Sequence, residues 1–437
     1  MRTFFVLVFA ACAAAAPVDA QTLADEVRQL RDEVAALRAE VAQLRMGPAA
    51  APAPVQVPAA VSVDAQLELI RSQLAEHAQT KVESASRLPL RLSGSVVSTT
   101  FLNSGTPNWL DVPNVVRAGS GVDQGSFSST LRQSRLGLEA TGLTVGAWTG
   151  AGSLVFDFFG GIPGFQTGQV MGLPRLLYAF VRLDHGRGSV LVGQDDAIVA
   201  PRSPTSLSAV SFPALFRSGN LYLRVPQIRG EMRLRAGARS TVRLLGGVVA
   251  PVAGDLATEQ YAFVPPELAG ERSERPALQA RSVFEYAVDE RHSVAVAVSG
   301  HQSRPEFSAR RSSWIAATDF DVQWGAVGAA GEAFTADRAG AYGAALGQQA
   351  RTRGGWAELR VMPTYRWRFV VGAGADRVRR QGESWALGGN RAGFAGIRYS
   401  LTPELHIGVE YSRLGTTPVA ARTVTNHHID GVLRYDF

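Results

Sequence analysis

Trp314-Ile315-Ala316-Ala317-Thr318-Asp319-Phe320-Asp321-Val322-Gln323-Trp324 alternates with a period of two. Trp314, Ala316, Thr318, Phe320, Val322 and Trp324 share one face, while Ile315, Ala317, Asp319, Asp321 and Gln323 share the other. Successive side chains of a strand point to opposite faces. The stretch therefore predicts a strand with one greasy side flanked by tryptophans and one side carrying carboxylates. That is what a strand standing between lipid and a watery lumen needs. A soluble sandwich alternates too, but it turns its apolar face inward, and roughly 350 residues of this pattern would require two such domains.

Outward from this strand, the same alternation runs over residues 88–437. It marks strands near 88–102, 127–141, 144–158, 175–185, 188–195, 221–236, 240–252 and 277–288. The second half gives 291–304, 311–324, 326–336, 354–363, 366–378, 390–401, 404–414 and 424–437. The connections alternate in length. Long ones lie at 103–126, 196–220, 253–276 and 337–353, and tight ones at Gly142-Leu143, Gly186-Arg187, Asp289-Glu290 and Thr402-Pro403. Short turns at one rim and long loops at the other mark outer-membrane barrels. The tally predicts an all-β chain with a 16-stranded antiparallel transmembrane β-barrel. The closing alternation, Ile429, Gly431, Leu433, Tyr435 and Phe437, predicts an assembly signal for the barrel-assembly machinery, carried by Tyr435 and Phe437.

The residues before the barrel divide into four. Residues 1–20 read as a signal peptide: Arg2 supplies charge, Phe4 to Ala16 is an apolar run too short to span a bilayer, and Val18-Asp19-Ala20 suits cleavage before Gln21. A rival reading takes Phe9-Ala10-Ala11-Cys12 as a lipoprotein box, at the cost of a very short apolar run. Residues 21–46 carry Leu23, Val27, Leu30, Val34, Leu37, Val41 and Leu44 at heptad spacing. Glu26, Glu33 and Glu40 at g face Arg31, Arg38 and Arg45 at e, which predicts a parallel homo-oligomeric coiled coil placed in the periplasm. Residues 47–63 form a Pro/Ala linker, and 64–87 a short helix and connector.

Composition excludes several classes. Cys12 is the only cysteine, so cleavage after Ala20 leaves no disulfide to hold the exported chain together. No segment past the leader has 18 consecutive apolar residues, which excludes a helical membrane protein. A formal net charge of +6 is mild, and no basic stripe or nucleic-acid module is present, so nucleic acid is not an expected partner. There is no GxSxG, no HExxH and no Gly-rich phosphate loop, so no enzyme, cofactor or metal is expected. His427-His428 are neighbours on a strand and point to opposite faces, so they do not share a metal.

The chain resembles the DcaP-like trimeric outer-membrane porins. The resemblance lies in Gln133-Ser134-Arg135-Leu136-Gly137-Leu138, Val155-Phe156-Asp157-Phe158-Phe159-Gly160, Val190-Leu191-Val192-Gly193-Gln194 and Val225-Pro226-Gln227-Ile228-Arg229, in that order, together with the coiled coil. It implies a homotrimer in the outer membrane that passes small carboxylated solutes. The chain departs from the pattern after Gln194, where Asp195-Asp196 stand in place of neutral or aromatic residues. Two other readings stay open. A phosphate-selective porin shares the layout, but its binding site resembles a ladder of Arg and Lys that this chain does not show, its one Lys, Lys81, lying outside the barrel. A tether gripping the cell wall through the coiled coil would leave the barrel as an anchor.

Sixteen strands leave an aqueous channel, and selectivity for small solutes then needs something folded inside. The connection from Asp195 to Asn220, with its charges Asp195, Asp196, Arg202 and Arg217, is the expected constriction loop. The face opposite each apolar row places Arg135, Arg229 and Arg281 on one wall of the lumen and Asp319, Asp321, Glu358, Glu410 and Asp430 on another. Arg360 and Arg398 blur that division. A divided wall would orient dipolar solutes, with Arg229 and Arg281 as the expected ligands of small anionic or dicarboxylic compounds.

Overall fold

The computed structural model describes residues 89–117, 125–161, 172–252, 270–304, 312–379 and 387–437. The expected signal peptide, coiled coil, linker and short helix lie outside them. Every described strand joins one antiparallel sheet. Its segments are β1 (Leu90–Asn103), β2 (Ser126–Thr130), β3 (Arg135–Val145), β4 (Trp148–Asp157), β5 (Arg175–His185) and β6 (Gly188–Asp196). Then come β7 (Arg224–Arg235), β8 (Ser240–Val249), β9 (Ala277–Asp289), β10 (His292–Ser303), β11 (Ser313–Trp324) and β12 (Val327–Asp337). The last are β13 (Arg351–Val361), β14 (Trp367–Val378), β15 (Leu387–Ser400), β16 (Leu405–Pro418) and β17 (Val424–Asp436).

β2 and β3 are two pieces of one stave. Both pair with β1, as Thr99↔Thr130 and Ser95↔Arg135, so the four residues Leu131–Ser134 stand against three of β1. One extra residue is a bulge, and the Val97 N–H closes it by donating to Ser134 Oγ at 2.9 Å. β17 pairs back onto β1 from Ser95↔Asp436 to Asn103↔His428. The sheet thus closes into the 16-stranded antiparallel barrel that the alternation predicted, and closure removes the unpaired edges that lipid would not tolerate.

Two expected turns move. β3 runs to Val145, so the first tight turn is Gly146-Ala147; Gly142, at φ +84°, instead relieves a register shift between Thr141 and Leu143. Asp289 belongs to β9, and the next turn is Glu290-Arg291. A positive φ is as natural for glycine in a bulge as in a turn, so the sequence signal at Gly142 did not distinguish the two.

The outer face carries a broad apolar band. Phe320, Trp324, Trp367, Val371, Ile397, Val409 and Leu433 are exposed on it, in keeping with contact with lipid acyl chains. Aromatic rings gather at the short-turn rim, where Trp367 lies 4.7 Å from Tyr399 and Tyr435 lies 6.2 Å from Phe437. Such rings match a membrane interface, apolar on one side and wet on the other. The main cluster of buried apolar residues gathers Ala197–Ala200, Leu221, Ile315, Phe334 and Tyr342, residues of two long connections and the inward faces of strands.

Candidate functional site

The connection between β6 and β7 spans residues 197–223, shifted from the expected Asp195–Asn220 because Asp195 and Asp196 are the last residues of β6. Its backbone N–H groups must find acceptors away from any sheet, and side chains of the inner wall supply them. Val199 N–H donates to Gln279 Oε1 at 3.0 Å, Thr205 N–H to Glu358 Oε2 at 2.7 Å and Leu207 N–H to Glu410 Oε2 at 3.0 Å. Ser211 N–H donates to Gln133 Oε1 at 2.8 Å, and Leu221 N–H to Glu332 Oε1 at 3.2 Å. These acceptors stand on β9, β13, β16, the bulge before β3, and β12, so the segment touches the wall around most of the circumference.

Glycines let it lie close. A Cβ on Gly374 of β14 would stand 2.2 Å from the Ser218 carbonyl oxygen, and one on Gly219, which adopts φ +103°, would stand 2.1 Å from that of Gly355. Both distances are far below van der Waals contact, so a side chain at either position would force the segment off the wall.

The expected charged residues mostly meet each other here. Arg281 donates to both oxygens of Asp319 at 2.5 and 2.9 Å. Arg202 of the segment bridges Asp319 and Asp321 at 3.0 and 2.6 Å, and Arg360 holds the other oxygen of Asp321 at 2.8 Å. Arg229 pairs with Asp195 at 2.7 Å, and Arg135 donates to the Val210 carbonyl and to Ser211. Two expectations are corrected. Arg229 and Arg281 are not free guanidiniums awaiting a solute. The wall is not divided by sign either, because Asp195, Asp196 and Glu231 accompany the arginines of β7, whereas Arg360, Arg398 and Arg434 stand among the acidic strands.

A second group of charges behaves differently. Arg368 of β14 is directly opposite Arg398 of β15, and Arg434 of β17 is opposite His406 of β16. The outward neighbours Trp367, Phe369, Ile397 and Leu433 fix these arginines on the inner face. Together with Thr205, Ser206 and Glu410 they line a cavity of about 90 Å³ beneath the segment. Arg434 is held by Asp436 at 2.8 Å, but Arg368 and Arg398 have no carboxylate within 4.0 Å among the described residues.

No family model and no curated protein matches the chain. Solved structures do. The outer-membrane channel DcaP of Acinetobacter baumannii superimposes with a TM-score of 0.59 at 15% identity, covering 80% of this chain and 99% of that one. The fold is that of an outer-membrane porin. The sequence resemblance to DcaP-like porins is thereby borne out in fold. OmpF of Salmonella typhi matches at TM-score 0.52 and 12% identity over 80% of this chain and 97% of its own. An anion-selective porin of Comamonas acidovorans matches at TM-score 0.50 and 12% identity, over 80% of this chain and 100% of its own.

Three features of the inner face are only weakly marked in the sequence. Arg368 and Arg434 alternate correctly for an inner face, but they sit near strand ends, away from the mid-depth positions that alternation singles out. The connection from Arg338 to Ala350 also folds inward: Tyr342 is buried and its hydroxyl meets Gln279 Nε2 at 2.9 Å. Its run Gly340-Ala341-Tyr342-Gly343-Ala344-Ala345-Leu346 is uncharged, and that is the signal for burial rather than a rim loop.

Proposed function

We propose that the chain is an outer-membrane channel for passive uptake of small hydrophilic solutes, favouring small anionic or dicarboxylic compounds. One observation carries the reading: the 197–223 segment is bonded to inner-wall residues from Gln133 to Glu410. A barrel of this strand number encloses an aqueous lumen. A segment held inside it sets the bore, and the charges left around the bore set the sign of what passes. The ion-paired residues Arg229, Arg281, Asp319, Asp321 and Arg360, with Arg135 bonded to Val210 and Ser211, fix the shape of the passage. Towards the short-turn rim, Arg368 and Arg398, with no carboxylate within 4.0 Å among the described residues, supply a positive field. An anion-selective porin among the structural relatives agrees with this.

In this reading the chain works as a homotrimer, assembled through its barrel and the coiled coil of residues 21–46 in the periplasm, and inserted by machinery that recognises Tyr435 and Phe437. Planar-bilayer recording tests the channel. Purified protein is expected to conduct in trimer-like steps, and deleting residues 203–214 is expected to raise the conductance of each step. A silent protein would overturn the reading, and unchanged conductance would take the segment out of the path.

A further inference from the structure

Towards the long-loop rim, the inner wall encloses a second cavity of about 540 Å³, lined in part by Trp109, Phe212, Phe216, Tyr222, Arg217 and Arg224. Its size falls within the range of small-molecule sites. Its aromatic side is one cluster: Phe212 lies 4.7 Å from Trp109, 4.9 Å from Phe216 and 5.1 Å from Tyr222, ring centre to ring centre. Tyr222 is fixed by its hydroxyl, which donates to the Ser211 carbonyl at 3.0 Å. Such a surface offers ring edges and faces to another ring.

Four arginines line the cavity, Arg117, Arg175, Arg217 and Arg224. Arg224 is neutralised by Asp196 at 3.1 Å, and Arg175 by Asp157 at 2.6 Å. Arg117 and Arg217 have no carboxylate within 4.0 Å among the described residues; Arg117 is exposed, whereas the Nε of Arg217 is buried without a hydrogen-bond partner. The Arg217 guanidinium carbon stands 5.4 Å from the centre of the Phe216 ring. Burial lowers its pKa, with no charged group countering the effect. Its backbone stands in the left-handed region at φ +62°, as does that of Leu215 at φ +61°. A non-glycine residue held there costs free energy that the surroundings must offset. The fold thus pins a guanidinium at the edge of an aromatic cavity and leaves it without an anion. A donor buried in this way is costly, and a carboxylate would satisfy Nε together with one terminal N–H by the paired geometry that guanidinium favours.

We infer that this vestibule is a binding site for small aromatic carboxylates, with the carboxylate on Arg217 and the ring against Trp109 and Tyr222. The site deepens the channel reading, on which it rests for its route of entry, by naming a preferred class of anion. Phe212 and Phe216 back the two contact rings, and the paired Arg224 lies over Tyr222 at 4.8 Å, drawing on the electron-rich face of that ring.

The test uses the full-length protein in detergent micelles with benzoate as probe, read by saturation-transfer NMR against empty micelles. Benzoate is expected to show transfer from the wild type. Arg217→Gln is expected to weaken it at least ten-fold and Arg217→Lys less, because lysine keeps the charge but not the fork; Trp109→Ala is expected to weaken benzoate and leave acetate unchanged. Equal benzoate affinity in the wild type and Arg217→Gln would overturn the proposal, as would acetate binding as tightly as benzoate. The measurement needs no conduction. Arg217-dependent binding by a protein silent in bilayers would therefore support the site and sink the channel, whereas a conducting protein blind to benzoate would do the reverse.

Discussion

Two stretches of the inner wall carry similar charge and handle it in opposite ways. Around β9 to β13, Arg281, Arg202 and Arg360 are interlocked with Asp319, Asp321 and Glu358 in a continuous run of ion pairs, with Asp319 only 1% exposed at its side chain. Across β14 to β17, Arg368 faces Arg398 directly, and Asp436 is held by Arg434 and His406 rather than by either of them. Like charges opposed across strands destabilise a sheet, so the second arrangement is not explained by stability. The difference teaches that counting charges on a lumen wall says little about selectivity. An engaged arginine fixes where a loop sits; under the proposed function, an unengaged one sets what a passing solute would feel.

The largest expected effect comes from cutting the segment loose. Glu358 and Glu410 together accept five hydrogen bonds from Thr205, Ser206, Leu207 and Ser208. At roughly 1 kcal/mol or more for each, Glu358→Ala with Glu410→Ala is expected to free the 205–208 stretch. Single-channel traces should become noisier and larger, and traces matching the wild type would mean the segment is held elsewhere.

A smaller effect separates the two walls by stability. Arg281→Ala removes one partner of a buried pair and is expected to lower stability by about 3 kcal/mol, measured as a fall in the denaturant midpoint of the folded, heat-modifiable band. Arg398→Ala relieves a like-charge contact and is expected to stay within about 0.5 kcal/mol of the wild type. Equal losses would erase the comparison. The smallest effect is expected at the rim, where the fully exposed Arg366 donates to Tyr365 and Tyr399; Arg366→Ala should leave both conductance and selectivity unchanged.

The barrel was legible because lipid enforces alternation on every strand. Strand count, long and short connections, and the inner positions of Asp319, Glu358 and Arg281 all followed from it. What alternation does not carry is pairing. Asp195 and Asp196 read as loop charges because they follow the Val190–Gln194 run, yet they end β6, where Arg229 and Arg224 neutralise them. Arg281 and Asp319 lie 38 residues apart on strands that do not adjoin, and no local pattern announces their contact. Nor did the sequence show that Leu131–Ser134 would interrupt a stave, since that break serves Gln133, whose side chain reaches the distant Ser211.

Reversal potential in a KCl gradient at low ionic strength, where screening is weakest, tests the central claim that selectivity resides in the unpaired arginines. Two double variants are compared: Arg368→Gln with Arg398→Gln, and Arg281→Gln with Asp319→Asn, which removes a pair without changing net charge. The first is expected to move the reversal potential clearly towards cations, and the second to leave it near the wild-type value. A reversal potential unmoved by the loss of Arg368 and Arg398, but displaced by the loss of the Arg281–Asp319 pair, would contradict the account.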